Sequence, residues 1–294
     1  MKSKQLVFAV SILSFTSLVS FAGAVDIYGL STRNQLVKFS SSNPGNLTNA
    51  VFINGLASNE ALVGIDFRVA NGLLYGVGSF GNIYTLNSTT GAATFVAGLT
   101  NSIGGGPLAL QGTEFGVDFN PVADRLRITS DLDQNLRVNV ATGVTTVDGS
   151  LNPGNPNIVA SAYTFNDTNT GTGTTLYNVD SVTDMLTIQN PPNNGTQTNV
   201  GWLGLDVSGL AGMDIQTIGN TNTAFAAFQL ANGTTSSLYT INLSTGASTA
   251  IGTIGSSQSS ETLAIRDITA AVPEPGTMAA LALGIGAFLR RRKK

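Results

Sequence analysis

The sequence of 294 residues contains no cysteine and no histidine, and only 11% of its residues are charged. These absences exclude a histidine-dependent catalytic triad, a cysteine nucleophile, a zinc site with histidine or thiolate ligands, and a disulfide framework. The shortage of charge also argues against a helical bundle, because the exposed faces of helices need polar and charged side chains. The 34 glycines indicate instead a chain with many turns.

The amino terminus is typical of a secretory signal. Lys2 and Lys4 precede an apolar run over 6–21, and the small residues 22–24 follow it. This order of basic, apolar and small residues predicts a signal peptide over 1–24, which signal peptidase removes by cleavage after Ala24. A transmembrane anchor is the alternative, although serine and threonine interrupt the apolar run.

The carboxyl terminus has three parts: Pro273, Glu274 and Pro275, then a nearly uncharged apolar stretch over 277–289, then the cations of 290–294. An apolar helix of this length spans about 20 Å, which is less than the ~30 Å hydrocarbon core of a bilayer. The cations would hold the end of the chain in the cytoplasm and leave the preceding domain outside. We therefore predict a sorting segment over 271–294, with a short transmembrane helix and a basic tail.

This tail resembles the PEP-CTERM sorting signal of Gram-negative-type bacteria, whose motif Pro273, Glu274 and Pro275 supply. The resemblance implies cleavage near the motif by a membrane-embedded exosortase-type protease. It also implies a route: export across the inner membrane, transient anchoring there by the C-terminus, and a final place at the cell surface or outside the cell. A plain C-terminal membrane anchor is the alternative.

The charge of the part between the two tails differs from that of the whole chain. The tails hold seven of the 14 Lys and Arg residues and only one of the 17 Asp and Glu residues. The mature part from 25 to 272 thus has 7 basic and 16 acidic residues, a formal net charge of −9. This charge excludes nucleic acid as a natural partner and favours cations or neutral polymers such as glycans.

A tight-turn glycine recurs along the mature part at spacings of 46, 52, 52 and 51 residues. The five positions are Gly45, Gly91, Gly143, Gly195 and Gly246. Each lies between two alternating apolar runs, which is typical of a β-hairpin whose glycine has a positive φ. The sequence therefore repeats a β-rich unit of about 50 residues.

A second landmark of each unit is a short, continuous apolar run, aligned at positions 66, 118, 163, 214 and 266. Each unit contains four strand-like runs, as expected of a propeller blade. The mature part begins with the second of the four runs of a unit and ends, over 263–267, with the first run of a unit. The last strand would therefore complete the first blade. We predict an all-β, five-bladed β-propeller over 25–270; a β-sandwich or an open β-solenoid is the alternative.

The repeated part resembles the bacterial domain-of-unknown-function family 4394. The motifs that carry the resemblance are Gly64-Ile-Asp-Phe67, Leu74-Tyr-Gly76, Gly116-Val-Asp-Phe-Asn-Pro121, Asp124-Arg-Leu-Arg127, Asn135-Leu-Arg-Val-Asn139 and Leu238-Tyr-Thr-Ile241. They cover nearly the whole mature part. The resemblance implies an extracytoplasmic, propeller-like domain and supplies no activity.

Three aspartates recur in the innermost run of a blade: Asp66, Asp118 and Asp214. In a propeller they would line the central channel and could form a partial acidic ring for a cation or a sugar. The alternative is that each accepts hydrogen bonds from neighbouring backbone or arginine, as buried carboxylates require. Tyr163 and Arg266 take the aligned position in the other two blades, which weakens a symmetric metal ring.

A separate acidic turn contains Asp131, Asp133 and Asn135, whose spacing places three oxygen ligands as in many calcium loops. Position 136 is leucine where an EF-hand has glycine, and position 142 is threonine where it has glutamate. The turn is therefore not an EF-hand. Calcium binding and an ordinary polar turn remain the two interpretations.

Arginines 125, 127 and 137 lie close to this turn and hold nearly half of the positive charge of the mature part. We expect them to pair with nearby aspartates: Asp118, Asp124, Asp131 or Asp133. The alternative is that these arginines bind the carboxylate of a ligand.

Two functions follow from the sequence. The first is a non-enzymatic scaffold for binding or adhesion at the cell surface or in the extracellular matrix, with glycans or other matrix components as partners. The second is a carboxylate- or calcium-dependent propeller enzyme that acts on a glycan or a lactone. The sequence favours the first, because it shows no catalytic acid/base pair. The sequence predicts no cofactor, and calcium at the acidic turn is the alternative.

Overall fold

The computed structural model describes residues 24–167, 169, 171–257 and 263–271. These residues form five separate β-sheets, in which strands that follow one another in the chain pair antiparallel. The exceptions are one parallel pair in blade 3 and the last strand of the chain, which joins blade 1. Among the described residues, the only helical element is a single 3-10 turn, Pro192–Asn194. The predicted all-β, five-bladed propeller is confirmed.

The strands of blades 2, 3, 4 and 5 are consecutive in the chain, whereas blade 1 combines the first three strands with the last one. Blade 1 contains β1 (Asp26–Ser31), β2 (Gln35–Ser40) and β3 (Asn43–Phe52). Blade 2 contains β4 (Leu62–Arg68), β5 (Leu73–Gly78), β6 (Asn82–Leu86) and β7 (Ala93–Gly98). Blade 3 contains β8 (Thr100–Asn101), β9 (Phe115–Asn120), β10 (Arg125–Ser130), β11 (Asn135–Val138) and β12 (Val144–Val147). In blade 3, β8 adds to the outer strand β12 in parallel.

The remaining strands complete the ring. Blade 4 contains β13 (Ile158–Tyr163), β14 (Leu176–Asp180), β15 (Met185–Gln189) and β16 (Gln197–Trp202). Blade 5 contains β17 (Val207–Ile218), β18 (Thr221–Leu230), β19 (Ser236–Ile241) and β20 (Ser248–Thr253). The last strand, β21 (Ile265–Ala270), is the innermost strand of blade 1.

Strand β21 closes the ring by pairing with β1, the first strand of the chain. Ile268 pairs with Gly29, and Ala270 pairs with Ile27. The closing strand begins two residues later than the predicted run over 263–267 and extends to Ala270. Because both ends of the chain contribute to one sheet, blade 1 has no exposed inner edge.

The recurring turn glycines have two structural roles. Gly91, Gly143 and Gly246 have φ of 74°, 73° and 79°, which a residue with a side chain rarely adopts. A Cβ at any of the three would also collide with a carbonyl group in the outer strand of the preceding blade. The glycine thus forms the hairpin and permits close packing of one blade on the next.

Apolar side chains fill four of the five interfaces between blades. The interfaces of blades 1 and 2, 2 and 3, 4 and 5, and 5 and 1 each hold a buried cluster; representative members are Ile65, Ile128, Phe228 and Phe39. The interface between blades 3 and 4 is different, because polar side chains fill it. This difference positions one of the two candidate sites.

The predicted tails lie mostly outside the described residues. This applies to residues 1–23 of the signal peptide and to 272–294, which include the motif Pro273, Glu274 and Pro275. Ala24 is described and is exposed just before β1. Across the described ranges, no helix has the length and apolar character needed to span a membrane.

Candidate functional site at the axis and between blades 3 and 4

The innermost strands β4, β9, β13, β17 and β21 lie side by side in a closed ring around the axis. The repeated aspartates occupy one register of this ring. Asp66 pairs with Tyr75 of β5, Asp118 pairs with Arg127 of β10, and Asp214 takes the same register on β17. The structure thus brings the three predicted carboxylates together at the axis.

The sequence alignment is wrong in the other two blades. The register of β13 places Ala162 rather than Tyr163 at this level, and that of β21 places Thr269 rather than Arg266. Ala162 pairs with Tyr177 and Thr269 pairs with Tyr28, just as Asp66 pairs with Tyr75 in blade 2. The alignment failed because neither strand carries the glycine–x–aspartate pattern that marks the other three.

Each axial carboxyl group joins its own blade to the next. It accepts a backbone N–H from the neighbouring innermost strand: Asp66 from Phe119 at 2.7 Å, Asp118 from Tyr163 at 3.1 Å, and Asp214 from Ala270 at 2.6 Å. These bonds agree with the structural alternative, in which a buried carboxylate requires donors.

A fourth buried carboxyl group, Asp267, was missed by the sequence reasoning. Its Oδ2 accepts the backbone N–H of Ile65 at 2.8 Å. This bond joins blade 1 to blade 2, as the other axial carboxyl groups join their own blades to the next. In register, Asp267 corresponds to Gly64 of blade 2. A side chain at position 64 would collide with Val117 and meet Asp267, so glycine makes room for the carboxylate. A correct alignment of β21 would have shown this substitution.

Burial and, to a smaller extent, mutual repulsion disfavour the charged form of the axial carboxyl groups. One carboxylate oxygen from each of Asp66, Asp118 and Asp214 lies within 4.8 Å of the others, and all three residues are buried. Burial raises the pKa of Asp66 and of Asp118 well above the usual range, and the neighbouring aspartates raise both further. Burial also raises the pKa of Asp214 and of Asp267.

Such a cluster can hold a proton or a cation. Two oxygens bound to one Ca²⁺ at about 2.3–2.6 Å each can lie up to about 5 Å apart, so Asp66, Asp118 and Asp214 could share an ion. Protonation of one carboxyl group relieves the same repulsion. Because each of the three is only 1% exposed, a polymeric substrate does not reach them in this structure.

The three residues predicted to bind calcium in the acidic turn do not share hydrogen-bond partners. Asp131 accepts the backbone N–H and the hydroxyl of Thr113 at 2.9 and 2.7 Å. Asn135 turns inward, and its Oδ1 accepts from the guanidinium of Arg127 at 2.8 Å. A guanidinium is an unfavourable neighbour for a bound cation, since the two positive charges repel. Asp133 has a buried Oδ1 with no hydrogen-bond partner. The calcium site stays a prediction.

The interface between blades 3 and 4 contains a buried polar network. In blade 4, Ser161 donates to Asn178 at 2.7 Å, and Asn178 donates to Gln189 at 2.8 Å and to Gln197 at 3.0 Å. Gln189 then reaches Asn135 of blade 3 at 3.2 Å. Such a network specifies the fit of the two blades only while its members stay paired, because an unpaired buried polar group is costly.

Arg127 is the charged centre of this interface, with a side chain only 3% exposed. Its guanidinium donates to four side chains: Tyr163, Asn135, Asp148 and Asn193. Arg137 forms a bidentate pair with the same Asp148, at 3.1 and 3.0 Å. The acid partner of both arginines is therefore Asp148, and not one of the four aspartates expected from the sequence.

Arg125 does not pair with a carboxylate among the described residues. Its Nη1 donates to the carbonyl groups of Ala123 and Asp124 at 3.4 and 2.8 Å. The carboxylate of Asp124 is engaged by Arg68 of blade 2. The three arginines border one cavity of about 200 Å³, the arginine pocket, whose other lining residues include Tyr163, Pro192 and Asn193.

A larger cavity of about 610 Å³ lies on the face of blade 4. Its wall includes Thr187 and Gln197, which belong to the polar network, and also Asp180. Asp180 is the one carboxylate among the described lining residues, and its Oδ1 accepts backbone N–H groups of Val182 and Thr183. A pair of carboxylates suited to glycoside hydrolysis is therefore not part of this wall.

The fold and the tail together define a five-bladed propeller with a surface-sorting signal. The sequence matches the family "Domain of unknown function (DUF4394)" over residues 35–264 and a PEP-CTERM protein-sorting motif over 271–293. The chain belongs to this DUF4394 family. The sorting motif implies export, sorting to the cell surface and processing by exosortase-type machinery.

Several solved structures are similar to the chain in shape at low identity. One, from the nidogen/laminin complex, has a TM-score of 0.44 and 12% identity over 85% of this chain and 99% of that chain. A hydrazine synthase chain of Kuenenia stuttgartiensis has a TM-score of 0.41 and 10% identity over 68% of this chain and 51% of its own length. BamB of Moraxella catarrhalis has a TM-score of 0.35 and 11% identity, over 76% and 69%. No curated protein matches the sequence.

Proposed function

We propose that this protein is a non-enzymatic scaffold for binding or adhesion at the cell surface or in the extracellular matrix. The proposal divides the chain into a signal peptide over 1–24, a propeller over 25–270 and a sorting segment over 271–294. Signal peptidase and an exosortase-type protease process the ends, and the inner membrane holds the C-terminus before processing. Glycans or other matrix components are the partners.

The observation that carries the proposal is the burial of the axial carboxylates. Asp66, Asp118 and Asp214 are the one group of three acids in the described residues whose oxygens lie close enough to share an ion, yet they are buried inside the ring and bond to neighbouring blades. Their geometry suits the joining of blades. A glycoside hydrolase needs its two carboxyl groups on either side of an accessible bond.

The polar interface of blades 3 and 4 supports a binding role. It opens to cavities of about 200 and 610 Å³, and these are lined by amides, hydroxyls and guanidinium groups. Such groups recognise the hydroxyls and acidic groups of sugars through hydrogen bonds. A surface of this kind binds a glycan without breaking it.

The experiment compares retention with cleavage. The full chain, purified in detergent, is immobilised and exposed to polysaccharide from the native extracellular matrix. We expect the polysaccharide to be retained with its chain length unchanged and with no new reducing ends. Release of reducing ends that stops in Asp118→Asn would support the enzyme alternative, which acts on a glycan or a lactone. Failure to retain any matrix fraction would contradict the scaffold.

A further inference from the structure

We propose that the arginine pocket binds the carboxylate of an acidic sugar residue, such as a uronate within a longer, mostly neutral glycan. The pocket is bordered by Arg125, Arg127 and Arg137, together with Tyr163 and Asn193. This inference rests on the proposed binding role and names the ligand class of one site. The following observations carry it.

The first observation is a break in the repeat. At the register of Arg127, the second strand of each other blade carries an aromatic residue: Tyr28, Tyr75, Tyr177 and Phe225. Blade 3 alone has an arginine there, and the interface that it faces is polar instead of apolar. Burying a guanidinium costs free energy unless it is fully paired. Arg127 meets this requirement through Asp148 and three further side chains, so blade 3 holds a fixed guanidinium where the other blades hold an aromatic ring.

The second observation is local charge. The mature part carries −9 overall, yet three of its seven cations border this pocket. Asp148 pairs with two of them, Arg127 and Arg137, and so neutralises one of those two charges. The pocket is therefore a positive site on an acidic protein. Such a site attracts a single anionic group, whereas the rest of the surface repels a polyanion.

The third observation is that donors remain for a ligand. The Tyr163 hydroxyl accepts from Nε of Arg127 at 3.2 Å, so its own hydrogen is available to donate. Arg125 uses only Nη1 in its contacts with backbone carbonyls. Its Nη2 and Nε can still form the two parallel bonds that a planar carboxylate accepts from a guanidinium.

The fourth observation concerns shape and rigidity. A volume of about 200 Å³ is smaller than the ~300–1,000 Å³ of pockets that enclose a whole drug-sized ligand, so it fits one residue of a chain. Arg127 is already held by four side chains, and little of its freedom is lost on binding. The pocket is preorganised for one small anionic group.

The test is calorimetric titration of the full chain in detergent at low salt with four probes: D-glucuronate, D-glucose, glucose 6-phosphate and inorganic sulfate. We expect glucuronate to bind more tightly than the other three. Because Arg127 is buried and its replacement threatens folding, the informative variant is Arg125→Gln. It should weaken glucuronate binding at least about tenfold, since a charge-assisted hydrogen bond contributes enough free energy for that factor.

Lys38→Gln is the matched control, because it removes a cation of blade 1 that pairs with Asp26. This variant should bind glucuronate as the wild type does. Three results would each overturn the inference. Glucuronate and glucose could bind equally, glucose 6-phosphate or sulfate could bind more tightly than glucuronate, or Arg125→Gln could bind glucuronate as the wild type does. Retention of neutral matrix polysaccharide in Arg125→Gln separates these failures from failure of the scaffold proposal.

Discussion

The hydroxyl of Thr269 lies 2.8 Å from Oδ1 of Asp66, although 203 residues separate the two in sequence. The same hydroxyl lies 3.1 Å from Oδ2 of Asp214. The closing strand thus places one donor between carboxylates of blades 2 and 5. Because a hydroxyl has a single hydrogen, it can donate to only one of the two carboxylates at a time.

Replacing Thr269 tests this link between blades. Thr269→Val keeps the shape and removes the hydroxyl. Because Oδ1 of Asp66 still accepts the backbone N–H of Phe67 at 2.7 Å, we expect the free energy of unfolding to fall by about 0.5–1.5 kcal/mol, the net contribution of one hydrogen bond. Thr269→Ser is the control that keeps the hydroxyl and should lose less. Denaturant unfolding measures both, and a valine variant as stable as the wild type would show that the hydroxyl does not join the blades.

The architecture could be predicted from the sequence, because a glycine recurs about every 50 residues. Blade 1 departs from the predicted turn, since its Gly45 lies inside β3 without a positive φ. Gly91, Gly143 and Gly246 mark the hairpins through a positive φ, and their spacing counts the blades. The axial register could not be predicted in every blade. At the position where β4, β9 and β17 have glycine, the last strand carries Asp267 and β13 carries Ala160, so neither strand shows the pattern that aligned the other three.

Long-range pairing explains the other difference between prediction and structure. The partner of Arg127 and Arg137 is Asp148, which the outer end of blade 3 brings back toward both. Sequence proximity favoured aspartates closer to the acidic turn. The polar interface between blades 3 and 4 is difficult to predict, because its paired residues lie up to 66 positions apart in the sequence.

The stability of the propeller should depend on pH through the axial carboxyl groups. Burial raises the pKa of Asp118 in the folded state. The unfolded pKa is about 4, so this group's contribution to stability is complete below about pH 4 and is lost as the pH rises through the folded pKa. Between pH 4 and 8 we therefore expect the stability of Asp118→Asn to fall less than that of the wild type.

The measurement is denaturant unfolding at a series of pH values in a chelator. The side-chain amide of the Asp118→Asn variant keeps an oxygen that can accept from Tyr163, so the variant removes the charge with little change of shape. Asp206→Asn, at an exposed position, is the control and should follow the wild-type profile. Parallel profiles for the wild type and Asp118→Asn would contradict the account of the axis.

The pair of Arg127 with Asp148 should be far more important for stability than the pair of Arg68 with Asp124. The first pair is nearly fully buried, whereas the Asp124 side chain is 38% exposed. Asp148→Asn should cost about 3 kcal/mol because it leaves a buried guanidinium without its counter-charge. Asp124→Asn, the matched control, should cost less than about 1 kcal/mol. Equal losses in the two variants would contradict this ranking.

Calcium should raise the melting temperature in a saturable way if Asp131, Asp133 and Asn135 bind it, because the metal would bind the folded form only. Asp131→Ala should abolish this increase, and Asp118→Asn should keep it. Scanning calorimetry in calcium and in chelator makes the comparison. Equal melting temperatures would leave the polar turn as the interpretation, and loss of the increase in Asp118→Asn alone would place the cation at the axis.

We propose that the propeller is exported and that its sorting requires cleavage near Pro273, Glu274 and Pro275. Replacing the three with alanines leaves the apolar stretch and the basic tail unchanged. We expect this variant to insert in the inner membrane and to accumulate there at full length, because insertion depends on hydrophobicity and on the cations.

Mass spectrometry of the C-terminus, on wild-type protein recovered from the native cell surface, tests this claim most directly. The account predicts a chain that ends near the motif and lacks the cations of 290–294. An intact C-terminal Lys294 on that surface protein would contradict it.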